Sequence, residues 1–388
     1  MTRIFRFLTS GESHGQALNA IIEGLPAGLN IDIDFINTEL RRRQGGYGRG
    51  GRMKIETDAV EIKSGVRFGV TTGAPVCLEI KNLDYQNMRI PMSVEPVDFS
   101  NKEILREIAA KSFTTARPGH ADYSGSIKYR HEDLRNILER SSARKTAIEV
   151  VVGSVAKLLL KELGIIGFSH VTQIGSVELD VRPSTYTLIK EKAEKSVLRC
   201  CDDYTTEKMK EEINKAKEEG DTLGGKFEVI YSNLPIGLGS FVHWDRMLDG
   251  LLALAVMSIP AVKAVEIGLG TGVAKRKGSA VHDGIKIKNG SIYRDSNNAG
   301  GLEGGMTNGE ALVVTGTMKP IPTMRKPLPS VDLHNNIQTE AHFERSDTCA
   351  VPACAVVAES RVAIVLVDEI LRKYGGDSIE ELKQHYEA

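Results

Sequence analysis

The 388-residue sequence predicts an α+β fold in which apolar helices lie in a layer between sheets. Strand-like runs and glycine-rich connections alternate through most of the chain. Three long helical patterns stand apart because they are apolar around most of their circumference, which is typical of helices buried on several sides. The sequence shows no internal repeat and no low-complexity linker, so we expect residues 1–388 to form a single domain.

The amino-terminal elements are predicted from alternation and turn residues. Residues 3–9 and 17–24 are typical of strands, and GESHG at residues 11–15 is the expected turn between them. Residues 32–43 predict a short amphipathic helix that ends in three arginines.

The three apolar helices are predicted at residues 143–163, 244–258 and 353–373. The first has Ser141 or Ser142 as a candidate N-cap and stops at Gly164. Pro260 stops the second helix, and Gly375-Gly376 follows the third.

Residues 190–219 are dense in lysine and glutamate and contain few large apolar side chains. Such a pattern is typical of solvated helices. We expect a charged helical excursion on the surface here.

The composition excludes several function classes. The net charge is −1, so no global field attracts nucleic acid or anionic lipid, and an anion site must be a local cluster. Residues 1–30 lack a signal-peptide pattern, and no apolar run reaches about 18 residues, so we expect a cytoplasmic protein. The five cysteines form no C-x-x-C and the nine histidines no H-E-x-x-H, which predicts reduced thiols and no metal site.

The densest positive cluster is RRRQGGYGRGGRMK, residues 41–54, with five arginines, one lysine, five glycines and no acidic residue. Glycines let the backbone approach a ligand closely, and guanidinium groups bind carboxylates and phosphates bidentately. We favour a loop that closes over a polyanionic small molecule. A solvated surface loop and an RNA-binding segment are the alternatives.

Two further stretches carry titratable or cationic side chains. TTARPGHADYSG, residues 114–125, presents Arg117, His120 and Asp122 around a Pro-Gly turn. The alternative for a lone loop histidine is an exposed side chain without a functional role. ERSSARKTA, residues 139–147, places Arg140 and Arg144 on one face if both are helical. A helix N-cap with solvated arginines is the alternative there.

The carboxyl-terminal third contributes two candidate stretches. Glycine-rich residues 298–309 lead through a strand to Lys319 in a proline-rich turn, which suits the wall of a cofactor pocket or an ordinary hairpin. Arg345 and Asp347 lie just before the last apolar helix, where an aspartate can also be an N-cap.

GESHG also fits the G-x-S-x-G pattern of serine hydrolases, with Ser13 as the nucleophile. That pattern needs a helix after the serine, whereas residues 17–24 predict a strand. Acyl transfer also needs an oxyanion hole rather than a cluster of guanidinium groups. A polyanion-binding enzyme explains more of the sequence, and its pocket would gather seven basic side chains: Arg43, Arg49, Arg117, Arg144, Arg345, His14 and His120.

Seven motifs, in this order over nearly the full length, resemble those of the chorismate synthase family. They are GESHG at 11–15, RRQGGYGRGGRM at 42–53, ARPGHADYSG at 116–125, RSSAR at 140–144, GGMTNGE at 304–310, KPIPT at 319–323 and ERSD at 344–347. The resemblance implies a β-α-β sandwich with helices between antiparallel sheets. It also implies a 1,4-elimination of phosphate from 5-enolpyruvylshikimate 3-phosphate to give chorismate, which needs reduced FMN without net redox change.

The resemblance further implies roles for individual residues. His14 would assist the protonation state of the flavin, His120 would protonate the departing phosphate, and Asp347 would help to move the substrate proton. The substrate anions would be bound by Arg43, Arg49, Arg117, Arg144 and Arg345. The positions of Arg43 and Arg49 serve NADP in an alternative assignment for this family.

The cofactor and partners follow from the same resemblance. FMN would be bound by Arg140, Ser141, Ser142, Pro260, Ala261, Gly304, Lys319, Pro320, Ile321, Pro322, Thr323 and Arg345. The chain lacks the insertions of bifunctional members that reduce their own flavin, so we expect an external flavin reductase, with NADPH as an indirect reductant. A homotetramer is expected, with neither nucleic acid nor a membrane as a partner.

Overall fold

Two antiparallel sheets enclose a layer of helices in this computed structural model, which describes residues 3–49, 57–344 and 346–388. In chain order the strands are β1 (Arg6–Ser10), β2 (Ala17–Glu23), β3 (Val60–Ser64), β4 (Val66–Arg67), β5 (Val70–Thr71), β6 (Val76–Lys81), β7 (Ile166–Ile174), β8 (Val177–Glu178), β9 (Gly225–Ser232), β10 (Val262–Ile267), β11 (Ile285–Lys288), β12 (Ser291–Arg294), β13 (Leu302–Glu303), β14 (Met306–Thr307), β15 (Leu312–Met318), β16 (Pro329–Asp332) and β17 (Ile337–Glu340).

The helices connect and fill the sheets. They are α1 (Ile33–Gln44), α2 (Lys102–Ala109), α3 (Asp122–Tyr129), α4 (Arg135–Ser141), α5 (Thr146–Glu162), α6 (Tyr186–Lys195), α7 (Asp203–Glu218), α8 (Leu248–Met257), α9 (Val351–Tyr374) and α10 (Ile379–Glu387). Across the described ranges, none of the helices combines the length and apolar composition that crossing a membrane requires.

The two large sheets differ in size and order. The first has the order β1-β2-β6-β3, and the second has the order β10-β15-β9-β7-β8. In β2, Leu18, Ala20 and Ile22 are buried while their neighbours are more exposed, so one face of the first sheet packs against the helices. The remaining pairs, such as β11 with β12, form small hairpins outside these sheets.

Helices α5 and α9 form the centre of the layer. Helix α5 contacts β2 and β6 of the first sheet, α9 contacts β7 and β9 of the second, and the two helices pack against each other. They approach closely at Gly153, where an added Cβ would lie 2.2 Å from the Cβ of Ser360. The predicted α+β sandwich with apolar helices inside is confirmed.

Most predicted elements are confirmed, but the RSSAR stretch differs from the prediction. Ser142 has extended backbone angles, φ −59° and ψ 144°, and its hydroxyl accepts a hydrogen bond from the Arg144 backbone N–H at 3.3 Å. The chain therefore leaves α4 at Ser141 and enters α5 only at Thr146. Arg140 and Arg144 were expected on one helix face only if both belonged to one helix, and this break lies between them. Ser142, one of the two candidate N-caps, caps the turn Ala143–Lys145 that leads into α5.

Smaller differences occur at the other helices. Helix α8 begins at Leu248 rather than 244, because Met247 is extended and residues Trp244–Arg246 form a separate 3-10 turn. The charged stretch at 190–219 falls on α6 and α7, and α7 buries Met209 and Ile213 beneath its exposed face. The expectation that residues 1–388 form a single domain stays a prediction.

A buried network of charged side chains joins the helices to the second sheet. The Glu359 carboxylate on α9 accepts hydrogen bonds from Arg42 Nη2 at 3.0 Å, Lys157 Nζ at 2.6 Å and Ser169 Oγ at 2.8 Å. Burial alone would raise the pKa of Glu359, but the Arg42 and Lys157 cations outweigh burial and hold this pKa well below the ordinary range. Glu39 on α1 also accepts from Lys157, at 2.5 Å.

We expect Glu359→Gln to lower the free energy of unfolding by about 3–5 kcal/mol, because the variant removes one of the carboxylates that balance the buried cations Arg42 and Lys157. The measurement is urea denaturation at fixed protein concentration, with Glu207→Gln on the exposed face of α7 as the control that changes little.

Folding lowers the pKa of Glu359, so its stabilising effect is present above the ordinary carboxyl range and disappears as the pH falls. The difference between wild type and variant should therefore shrink below about pH 4; a pH-independent or negligible difference would contradict the expectation.

Candidate functional site

A cavity of about 1710 Å³ opens between the turn after β1, the carboxyl-terminal end of α1 and the segment before α9. The described lysines and arginines that line it outnumber the carboxylates by more than two to one. The cations are Arg43, Arg49, Lys111, Arg117, Arg135, Arg144, Lys217, Lys263, Lys319 and Arg325, and the carboxylates are Asp84, Asp221, Glu344 and Asp347. Since the whole chain is nearly neutral, this local excess indicates an anion-binding site.

The GESHG turn presents His14 to this cavity. The backbone N–H of His14 donates to Glu139 Oε2 at 2.7 Å, and its ring Nδ1 lies 2.9 Å from Glu139 Oε1. Burial would raise the pKa of Glu139, but the hydrogen bonds from His14 and the nearby Arg135 cation lower this pKa overall. Glu139 is therefore an ionised anchor behind the histidine.

Ser13 does not have the surroundings of a hydrolase nucleophile. Its Oγ lies 3.1 Å from Ser142 Oγ, and its backbone N–H donates to the Glu139 carbonyl at 2.9 Å. The segment after it is β2 rather than a helix. Gly11 makes this turn possible, because it has φ +98° and an added Cβ would lie 2.2 Å from the Ala17 carbonyl oxygen. The nucleophile-elbow alternative is wrong.

The loop before α3 holds an arginine and a histidine on one carboxylate. Asp122 accepts hydrogen bonds from Arg117 Nε at 2.7 Å and Nη2 at 2.9 Å, and His120 Nδ1 lies 2.6 Å from its Oδ1. Asp122 is fully buried, which would raise its pKa, but Arg117 and His120 lower this pKa overall. Both Arg117 and His120 line the cavity, so the alternative of exposed side chains on the outer surface is wrong.

Two arginines line the floor of the cavity in different ways. Arg144 is held by Asp58 Oδ2 at 2.7 Å and by Asn82 Oδ1 at 2.9 Å, and it is buried rather than solvated. Arg43 donates instead to neutral oxygens, Thr146 Oγ1 and the Ala143 carbonyl, both at 2.9 Å. Burial, together with the cations of Arg49 and Arg144, lowers the pKa of Arg43 to about 10.

Asp347 lies opposite the arginine-rich loop. Its Oδ2 is 2.9 Å from Arg49 Nη1. The N-cap of α9 is Ala350, so Asp347 is not a helix cap, contrary to that alternative. Arg345, and residues 50–54 of the predicted basic loop, lie outside the described residues.

The predicted cofactor residues are only partly brought together. The described lining includes Ser141, Ser142, Pro260, Ala261, Lys319, Ile321, Pro322 and Thr323. Pro320 is outside that set, Gly304 lies in the β13–β14 hairpin, and Arg140 donates to the Thr9 and Gly11 carbonyls behind the turn.

Two observations mark this wall as a constrained surface. Ala261 has φ +72°, a left-handed conformation that a non-glycine residue adopts only at a cost of about 1–3 kcal/mol and that clusters at functional sites. Lys319 Nζ donates to the Gly119 carbonyl at 2.5 Å, so the turn at 319–323 is tied to the Arg117 loop. Burial and the neighbouring Lys263 cation lower the pKa of Lys319.

Helix α7 forms part of the cavity wall, which the charged sequence of residues 190–219 did not predict. Ile213, Asn214 and Lys217 line the cavity. Asn214 Oδ1 accepts a hydrogen bond from Tyr47 Oη at 2.8 Å, and the Tyr47 backbone N–H donates to the Val197 carbonyl at 3.1 Å. The charged stretch at residues 190–219 therefore holds the arginine-rich loop in place through Tyr47.

Sequence reasoning also missed Asn82 and the role of Glu139. Asn82 Nδ2 donates to the carbonyls of Glu12 and Gly15, at 3.1 and 2.8 Å, while its Oδ1 binds Arg144. No pattern in the sequence marks Asn82. The spacing of four between Arg135 and Glu139 was visible and predicts the ion pair that the structure contains at 3.1 Å.

Comparisons with known proteins agree over nearly the full length. Residues 5–371 match the family model described as chorismate synthase. The chain is 50% identical to the chorismate synthase of Carboxydothermus hydrogenoformans, over 99% of this chain and 98% of that protein. It is 52% identical to that of Geobacter sulfurreducens, with the same coverage. A crystal structure of a chorismate synthase superposes with a TM-score of 0.79 at 43% identity, covering 100% of this chain and 97% of the other.

We expect Arg43→Gln to weaken binding of inorganic pyrophosphate about 10- to 100-fold, the effect of losing one charged hydrogen bond. Folding lowers the pKa of Arg43, so its buried charge disfavours the folded state, and the variant should be no less stable than wild type in the absence of anions. Calorimetric titration and urea denaturation measure the two effects. The control is Arg6→Gln, an exposed arginine on the outer face of the first sheet, and unchanged pyrophosphate affinity in Arg43→Gln would contradict the expectation.

Proposed function

Because the chain belongs to the chorismate synthase family, and so eliminates phosphate from 5-enolpyruvylshikimate 3-phosphate to give chorismate, we propose that the cavity at His14 and His120 is where this reaction occurs. The observation that carries the proposal is the excess of cationic side chains along the cavity, in a chain whose overall charge is nearly neutral. The substrate carries a phosphate and two carboxylates, so it needs several guanidinium partners in one place.

We assign these anions to Arg43, Arg49, Arg117 and Arg144, which line the cavity. Arg345 is a fifth candidate that rests on the family resemblance alone. The carboxylates that hold Arg117 and Arg144 lie on the protein side of each guanidinium, because Asp122 and Asp58 are buried. This arrangement orients the guanidinium groups before the substrate arrives.

The cavity also suits reduced FMN as the cofactor. Its volume of about 1710 Å³ exceeds the 300–1,000 Å³ of an ordinary ligand pocket, which leaves room for a second molecule beside the substrate. The hydroxyls of Ser142 and Thr323, together with Lys319, would provide donors for a phosphate and a ring system. The Ser141 hydroxyl donates to the Ile137 carbonyl at 2.7 Å, so it would serve as an acceptor. The backbone at Pro260-Ala261 and residues 321–322 would complete the wall. The assignments of Arg140, Pro320 and Gly304 rest on the resemblance alone.

When bound, reduced FMN supplies the electron donation that weakens the allylic C–O bond. The protein contributes proton transfer and charge. His120, held at Nδ1 by Asp122, donates a proton to the departing phosphate, and Arg117 beside it stabilises the negative charge. Asp347 helps to remove the substrate proton, and the electron pair left behind forms the new double bond as the C–O pair leaves with phosphate. His14 serves as an acid at the cofactor side of the cavity.

The remaining assignments extend this proposal. An external flavin reductase would supply the reduced cofactor, with NADPH as an indirect reductant. In the alternative assignment, Arg43 and Arg49 would bind NADP. A homotetramer would cover exposed apolar side chains such as Ile285, Ile287 and Ile292 of the β11–β12 hairpin. The five free cysteines suit a reducing cytoplasm.

The direct test is anaerobic incubation of the protein with 5-enolpyruvylshikimate 3-phosphate and chemically reduced FMN. We expect chorismate and phosphate in equal amounts, and no turnover with oxidised FMN, because only the reduced flavin can donate an electron. Absence of turnover with reduced FMN would refute the proposal.

We expect His120→Gln to lower kcat about 10²- to 10⁴-fold, the usual contribution of a general acid. The control is His131→Gln, since His131 is exposed at the end of α3 in the same part of the chain. Steady-state assays of both variants measure the effect. Equal losses in the two variants would show that His120 is not the proton donor.

A further inference from the structure

We propose that Glu139 is the positioning residue for His14: it fixes the proton of the neutral ring on Nδ1 and leaves Nε2 as the nitrogen that meets ligands in the cavity. This inference rests on the proposed function, in which His14 is an acid: the protonated ring gives up its Nε2 proton and is left as the neutral Nδ1–H tautomer that Glu139 holds. Neither the sequence motif nor the resemblance assigns a role to Glu139.

Both carboxylate oxygens of Glu139 contact the same residue. Oε2 accepts the backbone N–H of His14 at 2.7 Å, and Oε1 lies 2.9 Å from its ring Nδ1. The Glu139 carbonyl accepts the Ser13 backbone N–H at 2.9 Å, so α4 holds two successive residues of the turn. The His14 ring has little freedom to rotate between these contacts.

The chemistry of the carboxylate determines where the ring proton lies. An ionised carboxylate only accepts hydrogen bonds, so Nδ1 must be the donor in the contact of 2.9 Å. Arg135 Nη1 lies 3.1 Å from the same Oε1 and keeps the buried carboxylate ionised. His14 lines the cavity, and Nε2 is its only ring nitrogen that is not directed at Glu139.

A glutamine at position 139 should reverse this arrangement. Two donors that can only donate now compete for one amide oxygen, the His14 backbone N–H and Arg135 Nη1. The backbone N–H is fixed, whereas Arg135 has a second acceptor in Glu344 at 3.2 Å, so we expect the amide oxygen at the backbone N–H. The amide NH₂ then faces Nδ1, which must become an acceptor, and the ring proton moves to Nε2. A single replacement therefore changes the tautomer without removing the histidine.

The test is solid-state ¹⁵N NMR of protein labelled with ¹⁵N-histidine, at a pH where the ring is neutral, with His14→Gln to identify the His14 signals. We expect Nδ1 to be protonated in wild type and Nε2 to be protonated in Glu139→Gln. The same variant should lower kcat about 10- to 100-fold, the usual loss on removing an orienting partner, with KM changed less than about threefold.

The matched control is Glu149→Gln on α5, a buried carboxylate that pairs with Arg361 outside the cavity lining. It should leave the His14 tautomer and kcat unchanged. A Glu139→Gln variant with Nδ1 still protonated and wild-type kcat would overturn the proposal. If this variant does not fold, the wild-type spectrum alone decides, because a neutral His14 ring protonated on Nε2 in the wild-type protein would also overturn the proposal. The spectra need neither substrate nor cofactor, so their result is independent of whether the proposed reaction occurs.

Discussion

The buried charges around Glu359 determine how the three central helices can be arranged. A carboxylate this far from water is stable only while Arg42 and Lys157 stay in contact with it, so α1, α5 and α9 keep one relative position. Arg42 and Arg43 are consecutive on α1 and so point about 100° apart around its axis. With Arg42 directed at Glu359, Arg43 faces the cavity. The interior network thus sets the direction of a guanidinium at the site.

The site repeats one design at several places. A buried carboxylate lies behind four of the side chains that face the cavity: Asp122 behind Arg117 and His120, Asp58 behind Arg144, and Glu139 behind His14. These carboxylates anchor the side chains by hydrogen bonds but leave the cavity face to cations. Anions can then replace water without a large rearrangement of the protein. The accumulated positive charge is a stability cost that binding relieves.

The layered fold was predictable because α5 and α9 are apolar all round, and the turn at GESHG because glycines flank it. Ser141 or Ser142 was predictable as an N-cap, and Ser142 has that role. The choice between them was not predictable, since the contact of the Ser142 hydroxyl with Ser13 comes from 129 residues away. The cationic loops indicated an anion site from composition alone. Asn82 and Glu139 escaped notice because their roles consist of contacts with the distant GESHG turn.

The outer wall formed by α7 has a consequence for how this chain can change during evolution. Surface helices rich in lysine and glutamate usually accept substitutions freely, because few contacts depend on them. Here one face of α7 lines the cavity and accepts a hydrogen bond from Tyr47, while the opposite face is exposed to solvent. Constrained and unconstrained positions therefore alternate along α7 with the helical period. Drift should be free on the solvent side and restricted at Ile213, Asn214 and Lys217, even though the stretch has the composition of an ordinary solvated helix.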